Sequence, residues 1–469
     1  MELHSIPTNG TAMKEFILKK LREIAGKEHV LTAREDLICY GYDAQHVEHR
    51  PDAAVRPADA DQIGAIVRLA NDEGFPIIPR GAGTGLSGGS VPTQGGVVID
   101  LCRMKRILEI DRENLLAAVE PGVVTADLHA AAEAVGLMYP PDPGSMTVST
   151  LGGNVAENAG GLRAIKYGVT KDYLMALEGV TPTGEFFSAG ARTLKSVSGY
   201  DLVRLMCGSE GTLGIFSKIV VKLVPLPKHR RSMLASFPKL EDAAQAVSGI
   251  ISAGIMPATI EIMDNVTVRA VEEFKKLGLP VDAGALLLLE VDGVEAQVEN
   301  EAESAVSAME KQGATDIQAA SDAAERDRIW EGRRSALAAL ARVRPTTILE
   351  DATVPRSRLA EMVGEINRIA SRYSLTIGTF GHAGDGNLHP TILTDERDKE
   401  EMARVEQAIN EIFHAALRMG GTVSGEHGIG LSKAGFLPME TGPGAIGMMR
   451  AIKNALDPRG ILNPGKIFE

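Results

Sequence analysis

Cysteine is scarce in this chain. Cys39, Cys102 and Cys207 stand far apart among 469 residues, with no Cys-x-x-Cys pair. That excludes a self-contained iron–sulfur cluster, a thiolate zinc site and a haem attachment motif. Few scattered thiols suit a reducing compartment. Positive charge is short as well: 49 Lys and Arg face 62 Asp and Glu, for a formal net charge of −13. Nucleic-acid binding, which needs a basic face, is not expected. No stretch approaches the ~20 apolar residues of a membrane span. The opening Met1-Glu-Leu-His4 leads into a charged helical stretch, 13–26, without the apolar core of a leader peptide. The expectation is a cytoplasmic protein, peripheral to a membrane only through a partner. A Gly-Lys-Ser/Thr phosphate loop is missing too.

Glycine is abundant, with 50 copies. They cluster at 81–96, 144–161, 179–214 and 378–430. The first cluster, Pro79-Arg-Gly-Ala-Gly-Thr-Gly-Leu-Ser-Gly-Gly-Ser90, follows the apolar run Phe75-Pro-Ile-Ile-Pro79 and precedes the strand-like Val97-Val-Ile-Asp100. Such a loop can turn its N–H groups towards one anion, with Arg80 adding charge. Gly83-x-Gly85-x-x-Gly88 has dinucleotide-loop spacing, but Gly-Ser-Val-Pro follows instead of a helix, so no Rossmann unit is expected. Further clusters lie at Pro140–Asn154, Asn158-Ala-Gly-Gly161 and Gly208-Ser-Glu-Gly-Thr-Leu-Gly214. Several separated clusters imply an extended ligand gripped by backbone, and a dinucleotide fits.

A chain of this length holds two or three domains. Helices are expected at 13–26, near 59–71, 125–135, 240–250, 295–311, 357–373, 399–419 and 448–456. Strands are expected at 97–100, 259–263 and 284–291. The texture changes at the basic Pro225-Leu-Pro-Lys-His-Arg-Arg231, taken as a domain boundary. Beyond it the rhythm predicts an α+β domain, helices on an antiparallel sheet.

Three of the 10 histidines fall in two short segments, His382-Ala-Gly-Asp-Gly-Asn-Leu-His389 and Gly425-Glu-His-Gly428. With Asp385-Gly386 as a two-residue hairpin loop, His382 would pair with His389 on one face. That makes a two-imidazole clamp for a transition metal. Glu426 would add a carboxylate, and His427 a base that titrates near neutrality. Together they suggest metal-assisted proton abstraction.

Taken in order, these motifs, with Pro143-Gly-Ser145, Ser149-Thr-Leu-Gly-Gly153, Gly208–Ile215 and Asn463-Pro-Gly-Lys466, resemble those of FAD-linked D-2-hydroxy-acid dehydrogenases. These are of the vanillyl-alcohol oxidase (PCMH) type and include the glycolate oxidase flavin subunit and FAD-dependent D-lactate dehydrogenase. The resemblance implies an α+β fold in three parts. Residues 1–225 would form a two-lobed FAD-binding domain. Residues 226–430 would form a substrate cap with the metal site, and 431–469 would return to the FAD domain. It assigns FAD binding to Pro79, Arg80, Gly81, Gly83, Thr84, Gly85, Leu86, Ser87, Gly88 and Gly89. It extends this to Pro143, Gly144, Ser145, Thr150, Gly152, Gly153, Asn158, Gly160, Gly161, Gly214, Ile215 and Asn463. With no His or Cys in 79–90, non-covalent FAD is expected. His382, His389 and Glu426 would hold a divalent ion, zinc by ligand type. His427 would be the general base and Arg333 the carboxylate binder, whereas Trp330, the only Trp, reads as core.

The implied reaction is oxidation of a small D-2-hydroxy acid, D-lactate or glycolate, to the 2-oxo acid, with hydride passing to FAD. Alternatives are a D-2-hydroxyglutarate dehydrogenase, a non-oxidising FAD transferase, or an electron-relay subunit. Leu337 and the Thr-Thr-Ile-Leu before Glu350 favour a small monocarboxylate. The chain carries no second redox centre. Its electrons would go to an iron–sulfur subunit, an electron-transferring flavoprotein, a quinone or a cytochrome. A homodimer is compatible with the sequence.

Overall fold

A computed structural model describes residues 13–44 and 48–468. The Met1–His4 stretch read for a leader lies outside them. Near the N-terminus, β1 (Val30–Leu31), β2 (Ala53–Val55), β3 (Ile77–Arg80) and β4 (Val97–Asp100) form a sheet of order β1-β2-β4-β3. β4 runs parallel to both β2 and β3. Its continuous apolar run, Val-Val-Ile, is buried throughout, as a parallel strand covered on both faces requires. The crossover is the helix Ala60–Glu73. Asp59 caps it by accepting from Gln62 N, and Gly74 ends it in the left-handed region.

The second lobe contains β5 (Ile107–Asp111), β6 (Leu116–Val119), β7 (Leu137–Met138), β8 (Leu174–Val180), β9 (Phe186–Gly190), β10 (Ile215–Lys222) and β11 (Val224–Pro225). Five make an antiparallel sheet of order β5-β6-β10-β8-β9, while β7 pairs with β11.

The third sheet is antiparallel throughout. It holds β12 (His229–Phe237), β13 (Thr259–Asp264), β14 (Ala285–Gly293), β15 (Asp316–Ala319), β16 (Thr346–Leu349), β17 (Ala352–Thr353), β18 (Thr376–His382) and β19 (Asn387–Thr394). Alternate side chains of β14 serve two cores. Leu287 and Leu289 pack with the helices Leu240–Ser252, Glu295–Lys311, Leu359–Tyr373 and Lys399–Arg418. Leu286 and Leu288 pack with Trp330, Ile329 and Val268 on the opposite face. A strand buried on both faces explains its five consecutive apolar residues before Glu290.

Two expectations change. The β18–β19 turn spans four residues, 383–386, so His382 pairs with Asn387, and His389 with Phe380. The register slips because Gly386 adopts φ +89° against the Val354 carbonyl. His382 and His389 are therefore diagonal neighbours on one face. The last helix also begins earlier, at Leu437, and is interrupted at Gly442 (φ 75°) beside Pro443. Past it, Leu462 bridges Ile77, so the tail lies beside β3 in the first sheet.

Candidate active site

The glycine clusters converge on one cavity of about 690 Å³. Pro79, Arg80, Gly81, Gly83, Thr84, Gly85, Leu86 and Gly89 line it, with Pro143, Gly144, Ser145, Thr150, Gly152, Gly153, Gly214 and Ile215. Arg80 is turned into the scaffold. Its guanidinium donates to the carbonyls of Tyr42 and Cys39 and to Ser90 Oγ. Gly83 lets it do so: φ is +71°, and a Cβ there would stand 2.1 Å from Arg80 Nη2.

Six residues expected at the cofactor do not line this cavity. The Ser87 carbonyl accepts from Leu431 N, and a Cβ on Gly88 would press on the Leu431 side chain. Asn158 ends the helix Leu151–Glu157 at φ 55° and accepts from Lys171 N. Gly161 packs against the Asp142 carbonyl. Asn463 donates to the carbonyls of Gly89 and Glu210. Gly160 serves the other end of the site, since a Cβ would lie 2.7 Å from Glu426 Oε2. These residues shape the walls from behind.

The other end is built from charged side chains. His382 Nε2 lies 3.0 Å, and His389 Nε2 3.5 Å, from Glu426 Oε1. The two imidazoles stand at 88° with centroids 5.1 Å apart. One donor atom from each of the three residues falls within 4.8 Å of the others. Glu261 Oε1 sits 2.8 Å from His382 Nδ1. A carboxylate on Nδ1 fixes the tautomer whose Nε2 lone pair faces the ligand position, as metal-binding histidines require. Two imidazoles and a carboxylate within this reach fit a divalent ion that keeps open positions. The electrostatics agree. Burial opposes a charged His382, but Glu261 and Glu426 outweigh it and raise the pKa well above normal. The same field would hold a dication.

His427 stacks on His389, interplanar angle 13°. It does not titrate near neutrality as its residue type suggested: burial holds its pKa down at about 4, against the pull of Asp351. Its Nδ1 is sealed from solvent, 3.9 Å from Asp351 Oδ2, which leaves Nε2 for a reacting group. Arg333 also reaches the cavity, but its Nε donates to Glu261 Oε2 at 2.6 Å, and the guanidinium lies 4.7 Å from the Phe380 ring centroid. Trp330 is core, its indole N–H donating to Ser232 Oγ.

The sequence reading missed two organising carboxylates. Asp351 Oδ2 accepts from Ser424 Oγ and from the backbone N–H groups of Gly425, Glu426 and His427. Its other oxygen takes Asn387 Nδ2. It thus ties the hairpin to the segment bearing Glu426 and His427. Glu261 links a ligand histidine to Arg333. Its signal was available, as a charge inside the apolar Thr259-Ile-Glu-Ile-Met263 needs buried partners.

Residues 226–467 match the C-terminal domain of FAD linked oxidases, and residues 51–190 match an FAD binding domain. The chain belongs to the FAD-linked oxidases. It is 50% identical over 453 residues to the glycolate oxidase subunit GlcD of Bacillus subtilis (strain 168), covering 96% of each chain. It is 38% identical over 467 residues to a D-lactate dehydrogenase of Anaerostipes hadrus, covering 96% of this chain and 97% of that one. Its fold is similar to that of p-cresol methylhydroxylase solved with substrate bound, at TM-score 0.81 and 19% identity over 97% and 96% of the two chains. An FAD-linked oxidase with this PCMH-type fold is an FAD-dependent oxidoreductase. Among the described residues no helix is long and apolar enough to cross a membrane.

Proposed function

We propose that this FAD-linked oxidase oxidises a small D-2-hydroxy acid, D-lactate or glycolate, to the 2-oxo acid. The observation that carries the reading is that His382, His389, Glu426, His427 and Arg333 line the same cavity as the nucleotide loop. The two relatives named for glycolate and D-lactate support the substrate class. His382, His389 and Glu426 would hold a divalent ion, zinc by ligand type, which would supply a Lewis acid for the substrate hydroxyl, and FAD would supply the hydride acceptor. His427 takes the hydroxyl proton at Nε2. Arg333, its Nε held by Glu261, presents its remaining N–H groups to the carboxylate. Leu337, Ala338, Ala341, Leu349 and Phe380 exclude water around the C2 substituent. The loop 79–90 contains no His or Cys, so FAD is held there without a covalent bond. Electrons leave to a separate acceptor, a reading supported by three scattered cysteines that form no iron–sulfur or haem-attachment motif.

A five-carbon acid with a second carboxylate is the second reading. Arg334, which also lines the cavity, favours it. The deciding experiment is an anaerobic visible spectrum of metal-replete protein, with D-lactate, L-lactate, glycolate and D-2-hydroxyglutarate added in turn. Bleaching by D-lactate or glycolate supports the proposal. Bleaching only by D-2-hydroxyglutarate moves the second reading ahead. A flavin band that none of them bleaches removes both.

A further inference from the structure

Beside the substrate end lies a second cavity, of about 170 Å³. Arginine dominates it: Arg163, Arg230, Arg326 and Arg334. Two of these are matched locally. Arg163 Nε lies 3.4 Å from Asp142 Oδ2, and Arg326 donates to its neighbour Asp327. Arg230 and Arg334 have no carboxylate within ion-pair distance among the described residues. Glu290 is the third carboxylate in the lining, and its Oε2 accepts from Ser232 Oγ. Four guanidinium groups against three carboxylates leave one net positive charge here, in a chain of formal net charge −13.

The two cavities are neighbours by construction. Arg326, Trp330 and Arg334 recur every four residues on the helix Ala323–Arg334 and form one stripe, which faces the smaller chamber. Arg333, one residue round, faces the larger cavity. Leu162 and Arg334 line both. Asp327 and Arg334 are exposed, so the chamber meets solvent.

We propose that this chamber is a docking site for small carboxylates, through which the anionic substrate enters and the product leaves. Leu162 and Arg334 form its threshold to the flavin cavity. The inference rests on the 2-hydroxy-acid reading. An anion approaching a negatively charged protein gains from a local basic funnel, whose low-dielectric walls focus the field. Guanidinium groups match carboxylate geometry. Glu290 opposes tight retention, which suits a site that must release what it captures.

The test uses holoenzyme with Arg230→Gln and Arg326→Gln combined; neither residue lines the flavin cavity. Flavin reduction by D-lactate or glycolate is followed by anaerobic stopped flow from low to high ionic strength. The second-order rate constant at low salt should fall about tenfold, with a shallower salt dependence. The limiting rate at saturation and the flavin spectrum should stay at their parental values. The matching Lys pair should recover most of the loss, since it keeps the charge. A Gln pair with parental second-order constant and salt slope overturns the proposal. If no 2-hydroxy acid reduces the parent, the reaction reading fails instead. A ¹⁹F titration with trifluoroacetate still decides the chamber then: a bound fraction missing from the Gln pair supports it, and equal titrations overturn it.

Discussion

The two ends of the large cavity are built on opposite principles. At the nucleotide end the lining is mostly glycine and small residues; of the charged groups there, Arg80 is turned into backbone carbonyls and Glu210 into backbone N–H groups. At the other end an apolar wall of Leu337, Leu349 and Phe380 faces a cluster of buried charged and imidazole groups, with His382 and the 425–427 backbone held by a second carboxylate, Glu261 or Asp351. Backbone amides already point where the fold puts them, so a nucleotide grip needs room more than reactive groups. Proton transfer needs particular side chains at set distances, and buried charges must be held by partners. The two ends should therefore fail differently.

The largest effect is expected from His427→Asn. Flavin reduction by substrate should fall by roughly 10²–10⁴-fold while FAD content, read from the visible spectrum, stays unchanged. Parental turnover in this variant would remove His427 as the base. Next comes Glu261→Gln, which disturbs the metal end twice, at His382 Nδ1 and at Arg333 Nε. Metal affinity should drop about 10–100-fold. Excess zinc should restore the maximal rate but leave KM raised, because Arg333 stays unanchored. Recovery of both by zinc would deny Glu261 its hold on Arg333.

A matched glycine pair sharpens the contrast. Gly83→Ala pushes a methyl group into Arg80 at φ +71°, and Gly160→Ala pushes one against Glu426 Oε2. The first variant should lose FAD and keep its metal, and the second should do the reverse. Flavin absorbance and metal analysis of the same samples decide it, and joint loss in either would argue that the ends are one cooperative unit. The smallest effect concerns Glu350. Burial raises its pKa to about 7, so the folded state holds a proton that the unfolded state has released above its usual carboxyl range. Stability from this group is present at low pH and disappears as pH rises through about 7. Glu350→Gln should therefore gain stability relative to the parent between pH 5 and pH 8, by roughly 2 kcal/mol, in pH-dependent thermal unfolding. A constant difference across that range would remove the carboxyl as the cause.

Legibility in the sequence followed the same division. The helices Ala60–Glu73 and Glu295–Lys311 could be read because periodicity, and for the first its Asp59 cap, are local signals. The glycine loop and the His/Glu segments could be read because their composition is unusual. The β18–β19 register could not. It depends on Gly386 meeting the Val354 carbonyl, from a segment some thirty residues away. Asn158, Gly161 and Asn463 were expected at the cofactor but do not line the cavity; they contact its wall from behind. A short motif marks a place in the fold without saying which side of the wall each residue faces. Asp351 escaped notice because its role lies in what it accepts from residues 424–427, seventy positions later.

The tail adds a consequence in time. Asn463 bonds the Gly89 carbonyl across 374 positions, and Lys466 Nζ bonds that of Val91. The back of the nucleotide loop is thus finished by residues made long after the loop itself. At 5–20 residues per second the ribosome needs roughly 20–75 s to cover that distance. The growing chain carries its glycine loop without this support for that interval, so the loop's backing wall is completed late.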